Sequence, residues 1–140
     1  MIYNHNEEEP TEPEEEAGEP FGTGEDEDPL VGLIGEITEG ASQQVAVMLL
    51  ALNGNTLRYT AEPDEERPED IEFFISSAGG SISEMFTIYD LMTLVKQRRD
   101  IATFGYGKVA SAAVPLLAAG TPGKRHIAKH ARLMLHHCSS

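Results

Sequence analysis

The sequence predicts one α/β domain behind an acidic tail, and three observations carry that prediction. Short apolar runs bounded by turn residues alternate with stretches whose apolar residues recur at helical spacing, in the order strand, helix, strand, helix, strand, helix. Such an alternation implies right-handed crossovers and an α/β fold. A length of 140 residues supports one domain with a modest core. The formal charge of −14 is unevenly divided: residues 1–28 hold twelve acids and no Lys or Arg, whereas the twelve acids and ten bases that follow leave the remainder nearly neutral.

Residues 1–29 are rich in Glu, Pro and Gly, with almost nothing apolar to offset the entropy of ordering. They are predicted to be a disordered tail, and residues 30–140 the folded domain. A like-charged run of this kind is ordinarily solvated; docking a basic partner or guarding an entrance is the alternative. The near-neutral domain lacks the clustered Lys and Arg that nucleic acid requires. Its only cysteine, Cys138, can form no internal disulfide and suits a reducing compartment. No apolar run reaches the roughly 18 residues of a membrane span, and the acidic amino terminus is the opposite of a secretory signal. The expectation is a soluble cytoplasmic protein without membrane or nucleic-acid partners.

Each element has its own signal. Leu30 to Ile37 is a short apolar run between turn residues and predicts a buried strand. After Thr38-Glu39-Gly40, apolar residues at Ala41, Val45, Met48, Leu49 and Leu52 predict a helix that Asn53-Gly54-Asn55 ends. Residues 55–70 are polar, with Pro63 and Pro68, and predict a surface connection. Ile71 to Ile75 predicts the second strand, its Glu72 suited to an edge or to the strand's beginning. Ser81 and Glu84 form a capping box for a helix whose buried face is Met85, Ile88, Leu91, Met92 and Val95. Gly79-Gly80 thus leads into a helix amino terminus, where free NH groups and the dipole favour negative charge. Ile101 to Phe104 predicts the third strand and Gly105-Tyr106-Gly107 the turn after it. Ser111 to Ala119 predicts a buried helix that starts near Ser111, so that Pro115 falls in its first turn, and is capped by Gly120. Lys124 to Ala128 and Leu133 to His136 read as two further short strands.

Chemistry-bearing residues lie in the second half. A serine hydroxyl is a weak nucleophile and needs a base within hydrogen-bond reach and donors for an oxyanion. Ser111, at a helix start, and His136, at a strand end, have the residue types for a nucleophile and base, with a capping serine and a strand-end histidine as the plain alternative. His126, His130, His136, His137 and Cys138 match no standard zinc spacing, and neither metal nor cofactor is expected. Tyr106 and Lys108 flank the nucleophile turn, either lining the site or simply exposed.

From about Leu30 onward the chain resembles the proteolytic subunits of the ATP-dependent Clp protease family. The family's Asn-Ser-Pro-Gly-Gly is similar to Ser76-Ser77-Ala78-Gly79-Gly80, with Ala78 in place of the proline, and its Ile-Tyr-Asp is matched at Ile88-Tyr89-Asp90. Its Gly-x-Ala-Ala-Ser is similar to Gly107 through Ser111, its Leu-Leu-x-Ala-Gly-x-x-Gly-Lys-Arg to Leu116 through Arg125, and its Met-Ile-His to Met134-Leu135-His136. Pro115 replaces a usual aromatic. The resemblance implies the ClpP/crotonase-like α/β fold, a superhelix of repeated strand-strand-helix units, here incomplete at the carboxyl end. It implies a serine endopeptidase with Ser111 as nucleophile, His136 as base, the amides of Gly80 and Ala112 as oxyanion hole, and Gly79, Gly80, Ser81 and Ile82, extended as far as Ser83, pairing with the substrate backbone. It further implies unfolded polypeptide substrates, an AAA+ unfoldase that consumes the ATP, and a ring, of seven or stacked sevens, formed with itself or with a homologue. The family's third triad residue, an Asp well after the histidine, and its helical handle have no position in these 140 residues. The chain is therefore expected to be a truncated member or one completed by another chain, with a non-catalytic subunit and a crotonase-like acyl-CoA enzyme as the alternative readings.

Overall fold

The structure, a computed structural model, describes residues 29–58 and 64–136. The tail predicted to be disordered, the middle of the 55–70 connection, and His137 and Cys138 lie outside the described residues.

Alternation of inward and outward side chains builds the sheet. β1 (Leu30–Ile34) buries Val31 and Leu33, β2 (Ile71–Ser77) buries Ile71, Phe73 and Ile75, and β3 (Ile101–Ala110) buries Ile101 and Val109. Helices connect them: α1 (Glu39–Leu52), α2 (Ile82–Lys96) and α3 (Ala113–Ala118). Two three-residue strands, β4 (Arg125–Ile127) and β5 (Arg132–Met134), complete the described chain. Every pairing is parallel, in the order β1-β2-β3-β4, and β5 also pairs with β3. Val45 and Leu49 of α1, Met85, Ile88, Met92 and Val95 of α2, and Leu116 and Leu117 of α3 join the inward strand residues in one hydrophobic core.

The element order is the predicted one, and the differences lie in local geometry. β1 stops at Ile34, because Gly35 takes φ +90° and donates its amide to the Ser76 carbonyl at 2.9 Å. Ile37 then returns as a lone bridge to Gly80. α1 begins at Glu39, two residues earlier than its apolar stripe, because the Thr38 hydroxyl accepts from the Ala41 amide at 3.1 Å. Glu72 stands near the start of β2, as expected, but β2 is a central strand, and Glu72 points out of its exposed face. Ser81 caps α2, its hydroxyl accepting from the Glu84 amide at 3.3 Å. The amide of Ser81 that a full capping box assigns to Glu84 instead donates to the Ile37 carbonyl at 3.0 Å.

The largest correction concerns β3. Gly105-Tyr106-Gly107 is not a turn ending the strand: β3 runs on to Ala110 through a bulge. The ladder passes from Ile75 opposite Gly105 to Ser77 opposite Val109, so two residues of β2 answer four of β3. The Tyr106 ring stacks on Phe74 at 5.0 Å across this irregularity. Below it β3 pairs with β4; above it, with β5. Gly120 is the second correction. Ala119, at φ −76°, closes α3, and Gly120 is needed for space, since a Cβ there would collide with the Thr103 hydroxyl oxygen.

Candidate active site

Above the bulge the sheet delivers Ser111. Ala110 is the last residue of β3, Ala113 the first of α3, and between them the chain must reverse within two residues. Ser111 makes the reversal with φ +54°, in the left-handed region that costs a non-glycine residue about 1–3 kcal/mol. Its amide donates to the Met134 carbonyl at 3.0 Å and its carbonyl accepts from the Val114 amide at 3.1 Å, so both neighbouring elements fix the strained geometry. The serine predicted to start a helix thus stands at a sharp elbow before one. A helix dipole can aid it little, since α3 has six residues and begins two residues later.

The glycine turn meets this elbow. Gly79 has φ +100°, and a Cβ on it would lie 2.8 Å from the Ser111 Cβ, 2.9 Å from the Ala110 carbonyl oxygen and 3.0 Å from the Ala112 nitrogen. Only glycine permits that approach. Gly80, at φ +152°, is pressed equally hard on its other side, where a Cβ would fall 2.5 Å from the Ile37 carbonyl oxygen. Ile37 takes the carbonyl of Gly79 and the amide of Ser81, each through a hydrogen bond of 2.9–3.0 Å. The amide and carbonyl of Gly80 between them therefore point away from Ile37. Among the described residues, no hydrogen bond uses the amide of Gly80 or of Ala112.

His136 arrives from the adjoining strand. The register sets Ala110 opposite Met134, so Ser111 comes level with Leu135 and His136 lies one residue beyond, past the upper end of β5 and exposed. The sheet thus brings Ser111, Gly79, Gly80, Ala112 and His136 to one end. Ile82 is not brought in as expected: the extended stretch ends at Ser81, and Ile82 and Ser83 already belong to α2. Because Ile37 occupies Gly79 and Ser81, the turn offers a substrate backbone only the Gly80 groups on its free side.

Two supports escaped sequence reasoning. Ser77, fully buried, accepts the Gly79 amide on its hydroxyl at 3.1 Å and holds the turn in place. Ile37, buried to 1 % exposure, does the same from the segment between β1 and α1. The only signal for Ser77 was a paired serine closing an apolar strand; for Ile37, an apolar residue stranded after a glycine. Among the described residues no three His, Cys, Asp or Glu side chains gather as a metal site would require.

Residues 27–140 match the Clp protease family. The chain belongs to that family. It is 39 % identical over 111 residues to ATP-dependent Clp protease proteolytic subunit 4 of Rhodococcus jostii, covering 79 % of this chain and 51 % of that protein. It is 40 % identical over 110 residues to subunit 1 of Tropheryma whipplei, covering 79 % and 47 %. The crystal structure of the ClpP protease catalytic domain from Plasmodium falciparum superposes with a TM-score of 0.64 at 32 % identity, over 76 % of this chain and 54 % of that one. This Clp protease family chain therefore has the ClpP-type α/β fold and spans about half the length of the curated relatives it matches. No helix among the described residues is long and apolar enough to cross a membrane.

Proposed function

We propose that this chain supplies the nucleophile, base and oxyanion donors of a serine endopeptidase. The observation that carries the reading is the strained elbow at Ser111 seated on the positive-φ glycine turn. Strain of this kind persists only where surrounding contacts over-determine it, and it presents a hydroxyl at the rim of a sheet with backbone amides beside it. In the reaction the Ser111 Oγ attacks the carbonyl carbon of a peptide bond as its proton passes to His136. The carbonyl oxygen becomes an oxyanion held by the amides of Gly80 and Ala112. His136 returns the proton to the leaving amine, the C–N bond breaks, and an acyl-enzyme remains. Water, deprotonated by His136, then attacks the ester and releases the new carboxyl end with free Ser111. Recognition through the Gly80 main chain gives little side-chain selectivity and suits unfolded polypeptides.

The substrate supply follows from the family: an AAA+ unfoldase spending the ATP, and a ring of seven or of stacked sevens in the cytoplasm. The ring is formed by copies of this chain or by this chain together with a homologue. The test is cleavage of a fluorogenic peptide by the purified chain, alone and mixed with an active-site-dead full-length relative. Turnover that appears in either case and vanishes with Ser111→Ala supports the reading. Turnover that survives Ser111→Ala assigns the chemistry elsewhere, and mixtures that form complexes without ever turning over make the chain a non-catalytic subunit.

A further inference from the structure

The sheet's last two strands are only partly covered by α3. Thr103 donates its hydroxyl to the Leu117 carbonyl at 2.8 Å, so its register partner Arg125 stands on the α3 side of β4. Ile127, two residues on, shares that face. On β5, Leu133 lies opposite the buried Val109 and turns the same way. Ile127 is 49 % exposed and Leu133 50 %, so this apolar edge is left half uncovered.

Between the edge and α3 lies a cavity of about 250 Å³, walled by Val114, Leu117, Ile127 and Leu133 and open to the surface. Its charged group is Arg125, since the ring of His126 stacks on Phe104 at 4.7 Å on the other face of the sheet. Arg125 donates to the Ala118 carbonyl at 3.2 Å. Among the described residues no carboxylate meets it, and residues 101–140 contain no Asp or Glu. A guanidinium is a planar fork of N–H donors, and one carbonyl leaves most of them for an anion.

An apolar cavity with a single cation at its edge selects a ligand of matching build: an aliphatic chain that ends in one carboxylate. The volume is just under the roughly 300 Å³ at which small-molecule sites begin, which suits a chain of about eight carbons.

The walls of this cavity are also the two elements that hold Ser111. Val114 donates its amide to the Ser111 carbonyl at 3.1 Å, and Leu133 precedes Met134, whose carbonyl accepts the Ser111 amide at 3.0 Å. Neither Ser111 nor Gly79 nor Gly80 lines the cavity, so it is separate from the candidate active site. A ligand that touches Val114 and Leu133 together ties α3 to β5 and stiffens the elbow from behind.

We propose that this cavity binds a medium-chain aliphatic carboxylate, with its chain among Leu117, Ile127 and Leu133 and its carboxylate on Arg125, and that occupancy rigidifies the backbone at Ser111. Binding and backbone exchange need no turnover, so the proposal stands or falls apart from the peptidase reading.

Titration of the full chain with sodium octanoate, followed by amide resonances, tests it. The resonances of Leu117, Ile127 and Leu133 are expected to shift with a Kd of about 1 mM or tighter. Octanol, octylamine and butanoate are each expected to bind at least about tenfold more weakly, the first two for want of the charge pair and the third for want of buried methylenes. Saturating octanoate slows hydrogen exchange several-fold at the amides of Ser111 and Val114. Arg125→Leu brings octanoate down to the affinity of octanol. Leu133→Asp, at a half-exposed position, abolishes binding while the urea unfolding midpoint is retained. No shift by about 10 mM octanoate, octanol binding as well as octanoate, or unchanged exchange at Ser111 and Val114 with the cavity filled would overturn the proposal. Shifts of the same resonances on concentrating the protein without octanoate would also overturn it, by making a second copy the occupant.

Discussion

The two ends of the sheet are held together by different physics. At the lower end, where the strands begin, side chains do the work. Lys124 Nζ bridges Asp70 at 2.5 Å and Asp100 at 2.9 Å, and Arg67 joins Asp100 at 2.8 Å. Nearby Arg99, 8 % exposed, donates to the carbonyls of Glu69 at 2.7 Å and Leu52 at 3.3 Å, tying the end of α1 and the approach to β2 to the loop before β3. At the upper end the chain is held by backbone: two positive-φ glycines, a bulge, a strained serine and the Ile37 bridge. The lower end tolerates the loss of a contact because several share the load. The upper end has almost no slack, since a single methyl group at Gly79 meets backbone and Ser111 together. A rigid base thus frees the opposite end to carry the strain that orients the Ser111 side chain.

That contrast can be broken in order of effect. Ser111→Ala should lower any peptide hydrolysis by at least about a thousandfold, since the proposed nucleophile acts in every step, while leaving thermal stability within about 1 kcal/mol. Gly79→Ala should reduce hydrolysis by about a hundredfold or more through misplacement of Ser111, with the circular dichroism spectrum of the domain retained. If it leaves activity intact, the close approach of turn and elbow does not matter. For stability, Arg99→Ala should cost about 2–3 kcal/mol in urea unfolding, because two carbonyls lose a charged donor in a partly buried place. Burial is also the main reason that the Arg99 guanidinium sits below its usual pKa. Ser111→Gly should go the other way and raise stability by up to about 1 kcal/mol, because glycine accepts φ +54° without strain.

The smallest effect is one of pH. The hydrogen bond from Lys124 holds the Asp100 carboxyl below the ordinary carboxylate range, with some opposition from desolvation and further help from Arg67. A depressed carboxyl contributes stability above its unfolded pKa, near 3.9, that is lost as pH falls through the lower folded value. Lys124, raised chiefly by its bond to Asp70 and then by Asp100, contributes below its unfolded value near 10.4 and loses that as pH rises through the higher folded one. Asp100→Asn should therefore lower the neutral plateau slightly, given the exposure of the pairs, and by the same small amount flatten the acid limb below about pH 4, where that contribution is already lost.

What the sequence disclosed follows the same division. Apolar spacing showed every helix, and short apolar runs showed the sheet, because burial leaves a periodic trace at positions such as Val45, Leu49, Ile88 and Met92. Ser111, Gly79, Gly80 and His136 stood out by residue type and family resemblance, and the fold gathers them at one end of the sheet. The bulge that carries β3 past Tyr106 was hidden, because Gly105-Tyr106-Gly107 has the composition of a turn and the pairing that keeps it in the sheet comes from distant Ser77. The crowding at Gly120 was hidden for the same reason: a glycine after a helix looks like a cap, while the obstacle is Thr103 on another strand. The end of the extended stretch at Ser81 rests on Ile37 taking an amide that local sequence assigned to Glu84. In each case a contact remote in sequence overrode a local pattern.

If the proposed function holds, the fold makes the hydroxyl at the β3 elbow the reactive one. Treatment of the chain, alone and combined with a full-length relative whose own nucleophile is removed, with a fluorophosphonate and peptide mapping by mass spectrometry tests this directly. A single phosphonylated residue, Ser111, is expected, with labelling that fails in Gly79→Ala. Labelling at another serine, or at Ser111 with undiminished rate when Gly79 is replaced, would contradict it.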